Sequence, residues 1–209
     1  VAESAVVIRR FRLAAVLVAT TAAVLSGDRV ALGVGIGWCR EEFDLLEQDF
    51  GTRGRRTDEA LRLMQALWQP GWTEFEGDFY SAPRMVMEPT PTAPIPVYVG
   101  GLSEVAFRRA ARQDGWVGDL YTVDEAAEHA TTLARMREEA GNERDFSVIT
   151  ALTDAFTPEQ FARAEELGVT DVMTMPWAYY HGLDVGLEQK LDGLERFAED
   201  VLRPLAPGK

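Results

Sequence analysis

The chain has 209 residues, of which 46% are hydrophobic and 26% are charged. This composition is typical of one globular domain with a sizeable core. The 21 basic and 34 acidic residues give a net charge of −13, which argues against nucleic acid or a membrane surface as the partner. A single cysteine, Cys39, allows no internal disulfide and fits a reducing, cytoplasmic location. With only two distant histidines, His129 and His181, a metal site is not expected.

An apolar run near the N-terminus has two interpretations. Basic residues at positions 9, 10 and 12 precede the run from Leu13 to Leu25, as in a signal peptide. The alternative is a buried helix that ends at Ser26 and Gly27. The run is too short to cross a membrane. Since no clear cleavage site follows, the pattern favours the buried helix.

Strands and helices alternate along the rest of the chain. The hydrophobic pattern predicts strands at 6–8, 30–35, 95–99, 115–118, 146–152 and 171–175. It predicts helices at 57–69, 103–112, 124–140, 157–168 and 187–202, and an irregular segment at 72–94 with a hairpin around 76–78. Such alternation indicates an α/β fold with a parallel sheet. Because no dinucleotide fingerprint is present, the pattern favours a (β/α) barrel over a doubly wound sheet, although eight strands are needed to close one.

A pair of glycines joins one predicted strand to the next helix. Gly100 and Gly101 follow the strand at 95–99, and Ser103 stands where the helix begins. Glycines permit a sharp turn and close approach of a ligand to the backbone, and the free N–H groups at a helix start favour a phosphate. The alternative is a turn followed by a serine N-cap, with no ligand.

Eight short segments, in their order and spacing, match one family. They are LSGDRV at 25–30, LGVGIGW at 32–38, REEF at 40–43, RRTDE at 55–59, FEGDFY at 75–80, PIPVYVGG at 94–101, RRAAR at 108–112 and DGW at 114–116. Together they resemble the bacterial-luciferase-like flavin-dependent oxidoreductases, especially the branch that uses the deazaflavin coenzyme F-420. The resemblance covers residues from about 25 to 203.

The resemblance implies a (β/α)8 TIM-barrel fold whose flavin lies at the C-terminal ends of the strands. It also implies that the chain, as one domain over 1–209, begins near the third strand and lacks the first two. In this family the missing loops commonly help to hold the isoalloxazine ring and supply acid–base residues, so no catalytic residue is assigned. A sheet that is open at its edge also predicts a homo-oligomer.

The resemblance implies cofactor contacts at Gly35, Gly37, Trp38, Arg56, Gly100, Gly101, Ser103 and Asp119. Gly35 and Gly37 follow a strand, where small residues let a flavin ring lie against the backbone. Tight strand packing is the alternative reason for glycine there. Trp38 either stacks on the ring or covers the barrel.

Charged residues also carry two interpretations. Arg56 either binds a phosphate or pairs with Asp58 or Glu59 at the start of a helix. Glu41 would transfer protons if its pKa were raised, whereas a solvated helix start is favoured. Asp119 follows a predicted strand and would point towards the barrel mouth.

His181 follows the last predicted strand, a functional position in a barrel, although a surface loop is favoured. The resemblance implies hydride transfer between F-420 and a small organic substrate. An FMN-dependent monooxygenase and a non-catalytic barrel protein or subunit are the alternatives.

Overall fold

A computed structural model describes residues 16–206. The chain forms two compact units, the first ending at Tyr98 and the second beginning at Val99. The predicted strand at 6–8 and the first residues of the apolar run lie outside the described residues. Among residues 16–206, no helix combines the length and apolar character needed to cross a membrane.

The first unit contains helices, a hairpin and strands of the main sheet. Its elements are helix α1 over 16–26, β1 (Leu32–Val34), α2 (Arg40–Leu45), a 3-10 turn (Phe50–Thr52), α3 (Arg53–Leu67), β2 (Thr73–Glu76), β3 (Ser81–Met85) and the first part of β4 (Val97–Gly100). The amide of Leu32 donates to the carbonyl of Pro96 at 2.8 Å, which joins β1 to the chain entering β4.

Helix α1 confirms the helical interpretation of the apolar run. It ends before Gly27, whose φ of +67° is left-handed, as the Ser-Gly stop predicts. Val16 and Ala23 are buried, whereas Val18 is 68% and Leu25 83% exposed. The helix therefore buries one face only.

A buried glutamate anchors the turn of the hairpin. The strands β2 and β3 pair antiparallel, as predicted around 76–78. The carboxylate of Glu59, in α3, accepts the amides of Asp78, Phe79 and Tyr80 at 3.0, 2.8 and 2.6 Å. A carboxylate buried to 2% exposure requires such partners. The sequence pattern predicts the hairpin, while the anchor comes from about 20 residues earlier.

The second unit holds the rest of the sheet and the helices that cover it. Its elements are the end of β4, α4 (Glu104–Ala110), β5 (Gly115–Tyr121), α5 (Val123–Ala140), β6 (Ser147–Leu152), α6 (Pro158–Glu166), β7 (Asp171–Val172), α7 (Pro176–His181), α8 (Leu187–Phe197), a π-helical turn (Ala198–Leu202) and α9 (Arg203–Leu205). Strands β5, β6 and β7 pair in parallel.

The pairing order of the main sheet is β1-β4-β5-β6-β7, which confirms the five predicted strands as consecutive neighbours. Strands β1 and β7 each have one neighbour, so the sheet is open among the described residues. The strand order and the parallel pairs give an α/β architecture.

Helix boundaries in the second unit follow local signals. Thr122 with Glu125, and Thr157 with Gln160, form capping boxes at the starts of α5 and α6. The second of these is the predicted one. Gly141 ends α5 in a left-handed conformation. The short helix α7 is not predicted, and the last predicted helix is interrupted after Phe197 by the π-helical turn.

A β-bulge changes which side chains of β5 face the helices. Val117 pairs with Ile149 and Leu120 with Ala151, so β5 has one extra residue between these pairs. A bulge of this kind reverses the alternation of side chains. As a result Trp116 and Tyr121, five residues apart, stack with ring centroids 6.0 Å apart.

Because of the bulge, different side chains of β5 and β6 lie on the two faces of the sheet. Leu152 packs in a buried cluster with Ala126, Phe161 and Phe197 on the helix side. Leu120 pairs with Ala151 across the two strands, and both side chains lie on the other face. In a barrel this second face is the interior.

Candidate functional site

The glycine pair forms a turn that needs glycine for its own geometry. Gly101 has a φ of +120°, and a Cβ there would lie 3.0 Å from the Cβ of Ala106. The Ser103 hydroxyl accepts the amide of Ala106 at 3.2 Å, and so caps α4. The turn and the cap are therefore both present, and the backbone N–H groups at the start of α4 have no helical acceptor.

A buried tryptophan holds this turn in place. The indole Nε1 of Trp116 donates to the carbonyl of Gly101 at 2.9 Å. Trp116 is fully buried, with its ring centroid 5.4 Å from that of Phe107 and 5.6 Å from that of His129. Since the carbonyl is fixed on the protein side, the turn is preorganised. The two sequence segments VGG and DGW thus form one structural unit.

A separate cavity of about 750 Å³ lies within the first unit. Strand β1, helix α3 and strand β3 line it, and its surface is mostly apolar. Two of the predicted cofactor residues, Gly35 and Arg56, line this cavity. A Cβ added at Gly35 would meet nothing within 4 Å, so tight strand packing does not explain this glycine.

Gly37 and Trp38 have different surroundings. Gly37 has a φ of +81°, and a Cβ there would lie 2.8 Å from the ring of Phe43. Local geometry is therefore a sufficient reason for glycine at this position. Trp38 is 88% exposed, and its role in stacking remains a prediction.

Two arginines supply positive charge to the first-unit cavity. Burial lowers the pKa of Arg56, an effect that the nearby carboxylate of Asp49 partly offsets. Arg53 donates from Nη1 to the carbonyl of Phe50 at 2.8 Å and stacks over the Phe50 ring. The carboxylate of Glu59 accepts the amides of the hairpin turn.

Glu41 does not have the raised pKa that proton transfer would need. It lies exposed at the start of α2, where a hydrogen bond with its own backbone, and then one from the Cys39 thiol, lower its pKa. The solvated helix start is confirmed. Within residues 16–206, no three His, Cys, Asp or Glu side chains are grouped to hold a metal ion.

Asp119 and His181 both lie in regular elements. Strand β5 continues to Tyr121, so Asp119 stands at the bulge, where its carbonyl accepts the Thr150 hydroxyl at 2.7 Å. Its exposed carboxylate as a cofactor contact remains a prediction. His181 ends α7 and pairs with Asp192 of α8 at 2.5 Å, so it ties two helices together instead of lying in a loop.

A second cavity, of about 340 Å³, lies at the C-terminal ends of β5, β6 and β7. Sequence reasoning missed it, because its walls depend on the bulge in β5 and on the unpredicted helix α7. Leu120, Ala151 and Tyr179 are among its lining residues.

The sequence profile of the luciferase-like monooxygenases matches residues 10–184. The chain belongs to this family. An uncharacterised protein of Mycobacterium tuberculosis is 40% identical over 182 residues, which are 86% of this chain and 63% of that protein. This luciferase-like chain thus spans less than two thirds of the length of that relative.

Two other relatives are named for a cofactor. The F420-dependent glucose-6-phosphate dehydrogenase of Tsukamurella paurometabola is 30% identical over 188 residues, 83% of this chain and 53% of that enzyme. The enzyme of the same name from Gordonia bronchialis is 35% identical over 138 residues, 58% of this chain and 37% of that enzyme.

Solved structures show the fold. A monooxygenase from Streptomyces bottropensis has a TM-score of 0.68 at 15% identity, and the alignment covers 91% of this chain and 74% of the monooxygenase chain. An F420-dependent secondary alcohol dehydrogenase, solved with an F420-acetone adduct, has a TM-score of 0.58 at 14% identity. That alignment covers 91% of this chain and 67% of the dehydrogenase chain. The luciferase-like barrel architecture implied by the sequence is confirmed.

Proposed function

We propose that this luciferase-like protein is an oxidoreductase that uses coenzyme F-420 and transfers a hydride to or from a small organic substrate. The observation that carries the proposal is the turn at Gly100–Ser103, held by Trp116. When bound, the deazaflavin supplies the redox chemistry, while the protein binds it, orients it and excludes water.

The names of two relatives favour F-420 over FMN as the cofactor. The two named for F-420 are 30% and 35% identical to this chain. Because these two relatives match this chain by sequence, their names support the deazaflavin.

The backbone N–H groups of the turn are suited to an anion. The first amides of α4 have no helical acceptors, and the positive end of its dipole faces the same side. We propose that they hold a phosphate of the cofactor, with Gly100, Gly101 and Ser103 supplying the contacts.

A direct test is titration of F-420 and FMN against the protein and the variant Trp116→Phe. The phenyl ring keeps an aromatic side chain at this position but lacks the N–H that holds the Gly101 carbonyl, and circular dichroism checks that the variant is folded. A turn that has lost one orienting hydrogen bond should bind the cofactor about three- to tenfold more weakly. Cofactor fluorescence quenching measures the dissociation constant.

Tyr121→Phe is the matched control. It removes a hydroxyl from the same aromatic stack and keeps the bond between Trp116 and Gly101, so affinity should be unchanged. Equal affinity in all three proteins would exclude the turn as the phosphate site. Tighter binding of FMN would favour the monooxygenase, and no binding of either cofactor would favour a non-catalytic protein.

A further inference from the structure

The cavity at the ends of β5, β6 and β7 has an unusual lining. Its volume is about 340 Å³, at the lower end of the roughly 300–1,000 Å³ usual for small-molecule sites. None of the described residues that line it is charged, and they include Leu120, Ala151, Phe156, Met173, Ala178 and Tyr179.

Large apolar side chains around this cavity remain in contact with solvent. Leu120 is 65% and Phe156 56% exposed, and Met173 and Met175 are also exposed. Clustered exposed apolar groups around a concavity are typical of a ligand site. Methionines adapt their shape to different ligands.

The backbone builds this site. The bulge in β5 directs Leu120 to the face that it shares with Ala151. The amide of Met173 donates to the Thr150 carbonyl at 2.9 Å, which places the chain after β7 beside β6. Helix α7 then brings Ala178 and Tyr179 over the strand ends. Strand ends of this kind are where barrel enzymes hold their substrates.

Two hydroxyls supply the polar part of the site. The Thr174 hydroxyl donates to the Tyr179 hydroxyl at 3.1 Å. The Tyr179 ring is held by Phe156 and Phe197, with centroid distances of 5.5 and 5.3 Å. With its oxygen accepting from Thr174, the Tyr179 hydroxyl has its own O–H available for another acceptor.

We propose that this cavity binds a small, uncharged, largely apolar alcohol or carbonyl compound, with Tyr179 donating a hydrogen bond to its oxygen. A phosphorylated sugar does not fit, since no lining residue would neutralise the phosphate and burial of an unpaired charge is costly. The proposal rests on the proposed function, as it names the substrate class for that oxidoreductase.

The experiment measures binding to the whole chain without cofactor. Saturation-transfer NMR follows cyclohexanol and glucose 6-phosphate as separate probes. Tyr179→Phe removes the donor and keeps the ring, so cyclohexanol should bind about three- to tenfold more weakly. Ala178→Phe fills the cavity and should abolish binding. Tyr180→Phe is the control, because that hydroxyl donates to Asp200 and does not line the cavity.

The proposal is supported if cyclohexanol binds more weakly to Tyr179→Phe, not at all to Ala178→Phe and unchanged to Tyr180→Phe, while glucose 6-phosphate does not bind. Cyclohexanol binding that is absent, or equal in all variants, overturns it, as does binding of glucose 6-phosphate that Ala178→Phe abolishes. Circular dichroism shows that each variant is folded. F-420 affinity is measured separately. If F-420 binds and cyclohexanol does not, the substrate class is wrong and the proposed function stands.

Discussion

Gly35 and Gly37, two residues apart after β1, have different physical reasons for being glycine. Gly35 borders the first-unit cavity with open space where a Cβ would stand. Gly37 adopts a left-handed conformation against the ring of Phe43. Only Gly35 is therefore a candidate for ligand approach without a packing role of its own.

Alanine substitutions separate these two reasons. Gly35→Ala should change the free energy of unfolding by less than about 0.5 kcal/mol. It should weaken F-420 binding about tenfold if the ring lies against this backbone. Gly37→Ala should cost about 1–2 kcal/mol of stability because of its left-handed φ. Urea denaturation and cofactor titration measure the two effects. Unchanged F-420 affinity in Gly35→Ala would remove this residue from the cofactor site.

Among the elements, the hairpin of β2 and β3 depends on α3. Its turn amides bond to the carboxylate of Glu59, which is buried in that helix. A glutamine has one acceptor oxygen, and its NH₂ group would face an amide that also donates. The hairpin is therefore coupled to the helix through one side chain.

Glu59→Gln should lower the free energy of unfolding by about 2–3 kcal/mol, since hydrogen bonds to a buried charge are lost. The amides of Asp78, Phe79 and Tyr80 should also exchange hydrogen faster. Hydrogen-exchange mass spectrometry and urea denaturation measure both. Glu76→Gln, on the exposed side of β2, is the control and should change little. Unaltered exchange in Glu59→Gln would show that the carboxylate does not anchor the turn.

At the scale of the whole molecule, a row of exposed leucines favours self-association. Leu187, Leu191 and Leu194 lie along one side of α8 and are all exposed. Exposed apolar rows of this kind mark interaction surfaces. The net charge of −13 opposes association through repulsion between copies.

We therefore expect a homo-oligomer whose association strengthens with salt, because salt screens the repulsion over about 10 Å at 0.1 M. Sedimentation velocity over a range of protein concentrations measures it. The double substitution of Leu187 and Leu191 by glutamate should weaken association, whereas Val105→Glu, at an exposed position of α4, should not. A monomer at every concentration and salt would contradict the expectation.

Local signals in the sequence were sufficient for most elements. The Ser-Gly stop of α1, the capping box of α6 and the glycine turn before α4 involve residues within four positions of each other. Their hydrogen bonds join groups that are close in sequence, so local residue patterns are enough to predict them. The family resemblance also came from short segments in a fixed order, and the profile match confirms it.

Tertiary structure alone decided the features that involve distant residues. Trp116 bonds to Gly101, 15 positions earlier, and Glu59 bonds to amides about 20 positions later. The bulge that turns Leu120 towards the strand-end cavity depends on pairing with β6. The sequence by itself determined the parallel α/β class. Packing between distant segments decided which side chains share a cavity or hold a turn, because side-chain direction follows from register and contact.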